Sequence, residues 1–343
     1  MPSNEAWQVS SAQLLSVPTY LDDRCEGSQG SALTYEKGLS EVADGIHAYL
    51  QPDGGWGWSN AGLILGNDQS LLVDTLFDLS LTKEMLDSMA SLTDARPIET
   101  LVNTHANGDH CYGNQLVTGA EVIASEASDA EMAELPPAQL AALLQADLGE
   151  PTNSYLAEAF GSFDFNNIEP PRATRTFSQS LSVNLDGRQV DLIEVGPAHT
   201  AGDVLVHVPD ADTVFTGDIL FIEGTPLIWQ GPVSNWIAAC DRIIEMGCSV
   251  IVPGHGPLTD QKGVQAVADY LNHVYSETSA RYEAGMDPVD AAHDIKLGGF
   301  GSWLDWERLL INVDTIYREL DPSRPQTSVI DLFRQMAVLK SRK

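Results

Sequence analysis

Between residues 42 and 103, short apolar runs alternate with turn residues. Val42–Leu50 leads into Asp53-Gly54-Gly55, Asn60–Leu65 leads into Asn67-Asp68, and Ser70–Asp74 follows directly. Runs of this length bounded by Gly, Asn and Asp predict an antiparallel meander of strands. The spacing lengthens to a helical period over Leu79–Leu92, and Ile98–Asn103 returns to a β-prone run. Residues 125–170 predict a helical insertion. They are rich in Ala, Leu and Glu as far as 160, place Leu140, Leu143, Leu144 and Leu148 at helical spacing, and close on Pro170-Pro171. Strands resume at Thr174–Phe177, Leu181–Leu185, Gln189–Val195, Val204–Val208 and Thr213–Thr216, followed by a helix over Val233–Met246 and a strand over Ser249–Val252. Two runs of strands interleaved with helices make an α/β fold.

The ends of the chain read differently. Residues 1–38 are polar and weakly patterned, which predicts an irregular N-terminal arm. Residues 261–343 read as a helical extension broken at Gly285-Met286-Asp287-Pro288 and Gly298-Gly299-Phe300-Gly301. Trp303–Leu320 carries Trp306, Leu309, Leu310, Val313, Ile316 and Tyr317 on one face. A stripe of this kind either packs on the rest of the fold or joins two copies in a homodimer. The central domain is therefore expected over 39–260.

The chemistry gathers just past predicted strands. Thr104-His105-Ala106-Asn107-Gly108-Asp109-His110 follows Ile98–Val102, and Asp74 closes the run from Leu71. His199 stands in Pro197-Ala198-His199-Thr200-Ala201-Gly202-Asp203, Asp218 in Phe215-Thr216-Gly217-Asp218, and His255 in Pro253-Gly254-His255-Gly256-Pro257. Imidazole and carboxylate together suit zinc, iron or manganese. The remaining histidines, His47, His207, His273 and His293, lie inside strand- or helix-patterned stretches and read as structural. Cys111 reads as a small buried hydrophobe rather than a ligand. Gly108 and Gly113 read as turn residues around the ligands.

In order and spacing these motifs resemble the metallo-β-lactamase superfamily of metallohydrolases, whose first motif is usually H-x-H-x-D-H. The resemblance covers residues 40 to 260 and implies a four-layer αβ/βα sandwich with the metal cleft at one edge. It implies one metal site on His105, His199 and Asp218, and a second on Asp109, His110 and His255, with Asp218 bridging. The departure is Asn107, which stands where the family has its second histidine. An amide oxygen is a neutral, hard and weak donor. The expectation is therefore one firmly held Zn2+ and a second site that is weak, empty or takes iron or manganese.

The site implies a metal-dependent hydrolase that attacks a small ester, lactone, lactam or thioester with a metal-bound hydroxide. Asp109 is the candidate to orient the attacking water, and Asp74 the candidate partner for a ligating imidazole. Asn107 is a candidate oxyanion donor through its side-chain N–H2. Trp56 and Trp58 on the hairpin after Asp53-Gly54-Gly55, together with Trp229, are candidate walls of the substrate pocket, whereas Trp236 reads as core. Two other classes stay open: a non-haem iron oxygenase on the same fold, and a metal-poor binding protein without catalysis.

Composition narrows the partners. Against 49 acidic residues stand only 18 basic ones, a net charge of −31, which disfavours nucleic acid and anionic membrane and leaves a small-molecule substrate. The four cysteines show no C-x-x-C spacing, and residues 1–20 lack a basic start followed by an apolar core, so a cytoplasmic location is expected.

Overall fold

The computed structural model describes residues 35–134 and 136–342. The expected N-terminal arm thus lies outside the described residues as far as residue 34, and residues 35–37 lead into the first strand.

Seven strands form one sheet in sequence order: β1 (Gly38–Ala43), β2 (Ile46–Leu50), β3 (Ala61–Leu65), β4 (Ser70–Val73), β5 (Ile98–Val102), β6 (Glu121–Ser125) and β7 (Arg175–Phe177). The first four pair antiparallel and β4 to β7 parallel. Five more form a second sheet: β8 (Ser180–Leu185), β9 (Arg188–Glu194), β10 (Val204–Val208), β11 (Thr213–Phe215) and β12 (Val250–Val252). Here only β11 and β12 run parallel.

The period-2 alternation assigns each face. Ile46, Ala48, Leu50, Ile64, Leu71 and Val73 of the first sheet meet Val190, Leu192, Val204, Val206, Phe215 and Val252 of the second. Tyr49, Ala61, Leu63 and Leu72 point the other way, onto Met85 and Met89 of α1 (Leu79–Thr93). On the far side, Leu205, Val214 and Ile251 pack with Trp236 and Ile243 of α6 (Val233–Met246). Four layers result, as expected. Between α1 and α6 in sequence come the single turn α2 (Gly108–Cys111) and the helices α3 (Glu126–Met132), α4 (Pro137–Gln145) and α5 (Thr152–Phe160), the last three lying between β6 and β7. After β12 follow α7 (Gln261–Glu283), α8 (Pro288–Asp294), α9 (Leu309–Leu320) and α10 (Val329–Ser341), whose buried side chains share the core that contains α6.

Three local expectations change. The run from Val42 to Leu50 is a hairpin rather than one strand, bent at Asp44-Gly45, a dipeptide favoured in two-residue hairpin loops. Strand β6 lies in a stretch for which the pattern gave no element. The helix expected from Trp303 begins at Leu309, because Asp305 adopts a left-handed backbone with φ 53°. Among the described residues, no helix is long and apolar enough to cross a membrane.

Candidate metal centre

The expected ligands, and Asp74 as their expected orienting partner, sit beyond the C-terminal ends of strands. Asp74 follows β4, His105 to His110 follow β5, Asp218 follows β11 and His255 follows β12, while His199 lies on the loop joining β9 to β10. Crevices at the carboxyl ends of parallel strands are where such folds gather functional groups. His105, His199 and Asp218 offer ligand atoms within 4.8 Å of one another, and so do Asp109, His110 and His255.

Asp218 is the hub. Its Oδ1 lies 3.1 Å from His110 Nε2, and its Oδ2 lies 3.4 Å from both His199 Nε2 and His255 Nε2 and 3.7 Å from His105 Nε2. Asp109 Oδ2 lies 3.3 Å from His255 Nε2 and 3.9 Å from His110 Nε2. A tetrahedral ion with bonds of about 2.0–2.1 Å sets its ligand atoms roughly 3.4 Å apart, so these separations suit a first-row cation. Gly254 lets this packing occur, since a Cβ there would fall 2.1 Å from Asp218 Oδ1.

All four imidazoles face inward through Nε2 because Nδ1 is held from behind. His110 Nδ1–H donates to Asp74 Oδ2 at 2.9 Å, His199 Nδ1–H to the Leu227 carbonyl at 2.6 Å, and His255 Nδ1–H to the Gly54 carbonyl at 3.1 Å. Thr104 gives its hydroxyl proton to Asp74 Oδ2 at 2.7 Å, leaving its oxygen to accept from His105 Nδ1–H at 3.0 Å. Asp74 thereby orients two ligands, one directly and one through Thr104. Its backbone, at φ 63°, is left-handed, a strain retained by three hydrogen bonds to its carboxylate.

Three of the inward-facing atoms have no hydrogen-bond partner that explains their burial. His105 Nε2, His110 Nε2 and Asp218 Oδ1 are buried without a hydrogen-bond partner of good geometry. Such groups are costly unless something satisfies them, and a cation does. Electrostatics agrees. Burial lowers His105 well below the ordinary imidazole value and His199 to about 4. Burial opposes charge on His110 and His255 as well, but the surrounding carboxylates outweigh it, holding His110 well above its ordinary value and His255 at about 9. Against the same penalty, His255, His110 and His105 hold the Asp218 carboxyl far down. Carboxylates that favour imidazolium this strongly would favour a dication in its place.

Asn107 stands at the edge of the first set. Its Nδ2 donates to His199 Nε2 at 3.0 Å, claiming the lone pair a metal would use. Turned over about its last torsion, the amide presents Oδ1 instead. Cys111 is fully buried, its thiol directed at the Ala106 and Asn107 carbonyls. Gly108 and Gly113 do not adopt turn-type positive φ; instead a Cβ would strike the Tyr112 ring and Thr82. Trp56 and Trp58 are half-buried rather than exposed. Trp56 meets Phe160 and Phe333, Trp58 meets Phe163, and Phe77 joins Phe160 to Phe163. Trp229 donates its backbone N–H to the His199 carbonyl, and Trp236 lies in the core with its ring 5.7 Å from that of His199.

Several supports escaped the sequence reading. Asn60 Nδ2 donates to the Pro253 and Gly256 carbonyls on either side of His255, Ser59 donates its hydroxyl to the Asp109 carbonyl, and Asp203 holds the His199 loop. Asp203 alone carried a signal, as the last residue of the quoted histidine motif.

A family model described as the metallo-beta-lactamase superfamily matches residues 54–255. The hydroxyacylglutathione hydrolase of Brucella anthropi is 31% identical over 96 residues, 28% of this chain and 30% of that protein. The alpha subunit of 2,4-dinitroanisole O-demethylase from Nocardioides sp. is 26% identical over 241 residues, 68% of this chain and 63% of that subunit. The chain thus spans less than two thirds of the length of either relative. Among solved structures, a metallo-beta-lactamase from Pontibacter korlensis superposes with a TM-score of 0.52 at 19% identity, covering 69% of this chain and 99% of that one. A stereoselective inverting sec-alkylsulfatase from Pseudomonas sp. gives 0.59 at 16% identity, covering 85% and 52%. At these identities the likeness is one of fold.

Proposed function

Since the chain belongs to the metallo-β-lactamase superfamily, we propose that it is a metal-dependent hydrolase of a small, aryl-bearing ester, lactone, lactam or thioester. The observation that carries the reading is the convergence of four imidazole Nε2 atoms and two carboxylates, each imidazole fixed from behind at Nδ1. Asp109, His110, His255 and Asp218 would hold the firm ion, and zinc suits this donor set. His105, His199 and Asp218, with Asn107 beside them, would hold a second ion weakly. A divalent ion there supplies Lewis acidity and lowers the pKa of a bound water toward about 7.

The chain's own residues do the rest. Asp109 orients the attacking water and takes its proton on the carboxylate oxygen that does not face His255 and His110. The Asn107 amide donates to the oxygen on which charge develops. Asp74 and Thr104 keep His110 and His105 in the tautomer that presents Nε2 inward. Trp56, Trp58 and Trp229 wall the cleft, and their rings favour a flat apolar group over a polyanion. Of the two relatives, the demethylase is named for an aromatic compound, which agrees with that preference, and the hydrolase is named for a thioester, which agrees with the reaction class.

Elemental analysis of the purified protein with an anaerobic screen of aryl esters, lactones, β-lactams and thioesters tests the reading. The expected result is bound zinc and turnover without oxygen, lowered on the order of 10²-fold or more by Asp109→Asn. Iron with oxygen consumption would replace it with an oxygenase, and protein that binds no added metal would leave a binding role.

A further inference from the structure

His255 depends on two supports outside the metal-ligand set. Its Nδ1–H donates to the Gly54 carbonyl, and its ring stacks on Phe221 with centroids 5.0 Å apart and planes 6° apart. Phe221 and His255 also pair as a parallel bridge, with the Ile222 N–H donating to the His255 carbonyl. One residue of the C-terminal extension packs on Phe221 and on the turn that carries Gly54. The Arg308 guanidinium carbon lies 4.2 Å from the centroid of Trp56, two residues beyond Gly54, and 5.4 Å from that of Phe221. Its Nη1 donates to the Thr225 carbonyl at 3.1 Å, and its Nη2 pairs with Asp305 Oδ2 at 2.8 Å. Asp305 in turn stands against the hairpin, where a Cβ on Gly55 would lie 3.3 Å from its Oδ2. Reciprocal backbone bonds, Thr225 N–H to Leu304 and Leu304 N–H to Glu223, lock the extension to the segment that follows Phe221.

This arrangement costs stability. Arg308 is 2% exposed, its Nε has no hydrogen-bond partner, and neither has Trp56 Nε1 beside it. An apolar side chain of similar size would fill the space without desolvating a charge. Only a planar guanidinium, however, can lie across two aromatic rings while its edges hold a carboxylate and a carbonyl.

We propose that Arg308, set by Asp305, is a positioning residue for His255, so that the C-terminal extension determines how tightly the Asp109/His110/His255 site holds its ion. The inference rests on the metal-centre reading above. Arg308 presses the Gly54–Trp56 turn and Phe221 onto the imidazole from two directions, fixing where Nε2 points. Loosening either support lets the ring rotate about its bonds and widens the site.

Zinc affinity by competition with a chromophoric chelator, and the visible absorption of the Co2+-substituted protein, read this without recourse to turnover. Arg308→Lys and Arg308→Gln should weaken zinc binding about 10- to 100-fold and change the cobalt band positions or intensities. Lysine fails because a point charge cannot span Thr225 and Asp305 while lying flat. Asp305→Asn should give a smaller loss in the same direction, and it carries the test if Arg308→Gln does not fold. Arg281→Gln, which removes ion pairs to Glu277 and Asp294, should lower stability without moving metal affinity. Equal affinity and an unchanged cobalt spectrum in Arg308→Lys and Asp305→Asn would overturn the inference while leaving the metal centre intact. An equal loss in Arg281→Gln would overturn it in favour of general destabilisation. Wild-type protein that binds neither metal would overturn both readings.

Discussion

A histidine at position 107 would present a ring nitrogen where Asn107 now offers an amide to His199. Asn107→His should therefore raise zinc content from near one ion per chain to near two, because the first set would gain its missing strong donor. A ratio unchanged by elemental analysis would place position 107 away from the ion. This residue, and the six candidate ligands around it, stand out in the sequence because few side chains bind metals and their order along the chain is characteristic. Asp74 was legible for a related reason, since ligating imidazoles need an acceptor at the second nitrogen. Asn60 and Arg308 were not. Asn60 acts on residues 193 and 196 positions away, and Arg308 acts through ring faces and a carbonyl, contacts that leave no spacing to read.

At the scale of elements, the loop between β9 and β10 shows how one buried carboxylate shapes a ligand. Asp203 accepts the Thr200 N–H and hydroxyl, while its own carbonyl accepts from Val195 and Gly196. The Gly202 carbonyl accepts the Ser125 and Ser128 hydroxyls, so α3 holds the loop as well. Burial raises the Asp203 carboxyl to about 7, outweighing the Thr200 hydrogen bonds, and nearby Glu131 adds to the rise. The folded chain therefore binds this proton more tightly than the unfolded chain does. Stability from Asp203 is present below about pH 4 and is lost as pH rises to about 7. In metal-free protein, wild type should thus lose stability relative to Asp203→Asn across that window, measured by denaturant unfolding. A difference that is flat with pH would mean that Asp203 is ionised throughout. The layers themselves were legible, because period-2 and period-3.6 patterns report burial on one face. The pattern failed where a backbone bend decided the outcome: at Asp44-Gly45 it ran two strands together, and at Asp305 it ran a helix through a left-handed residue.

Over the whole molecule, the acidic excess acts twice. A net charge of −31 draws cations toward any site and at the same time opposes compaction of the chain. The candidate metal centre concentrates the conflict, with Asp74, Asp109 and Asp218 buried among four imidazoles. An ion that binds the folded chain alone stabilises it by about 2.7 kcal/mol at a hundredfold excess over its Kd. For a chain of 343 residues that corresponds to a rise in Tm of roughly 4 °C. Calorimetry of zinc-loaded and chelated protein should show this gap at low salt. Raising salt to about 1 M shortens the screening length to roughly 3 Å. The Tm of the chelated protein should then climb as self-repulsion fades, and the gap should narrow as the acidic field loses its hold on the cation. Coincident transitions at every salt concentration would remove the ion from the fold's stability. A gap that persists while the chelated Tm stays fixed would instead confine the electrostatics to the centre, leaving the remaining acidic surface without influence on folding.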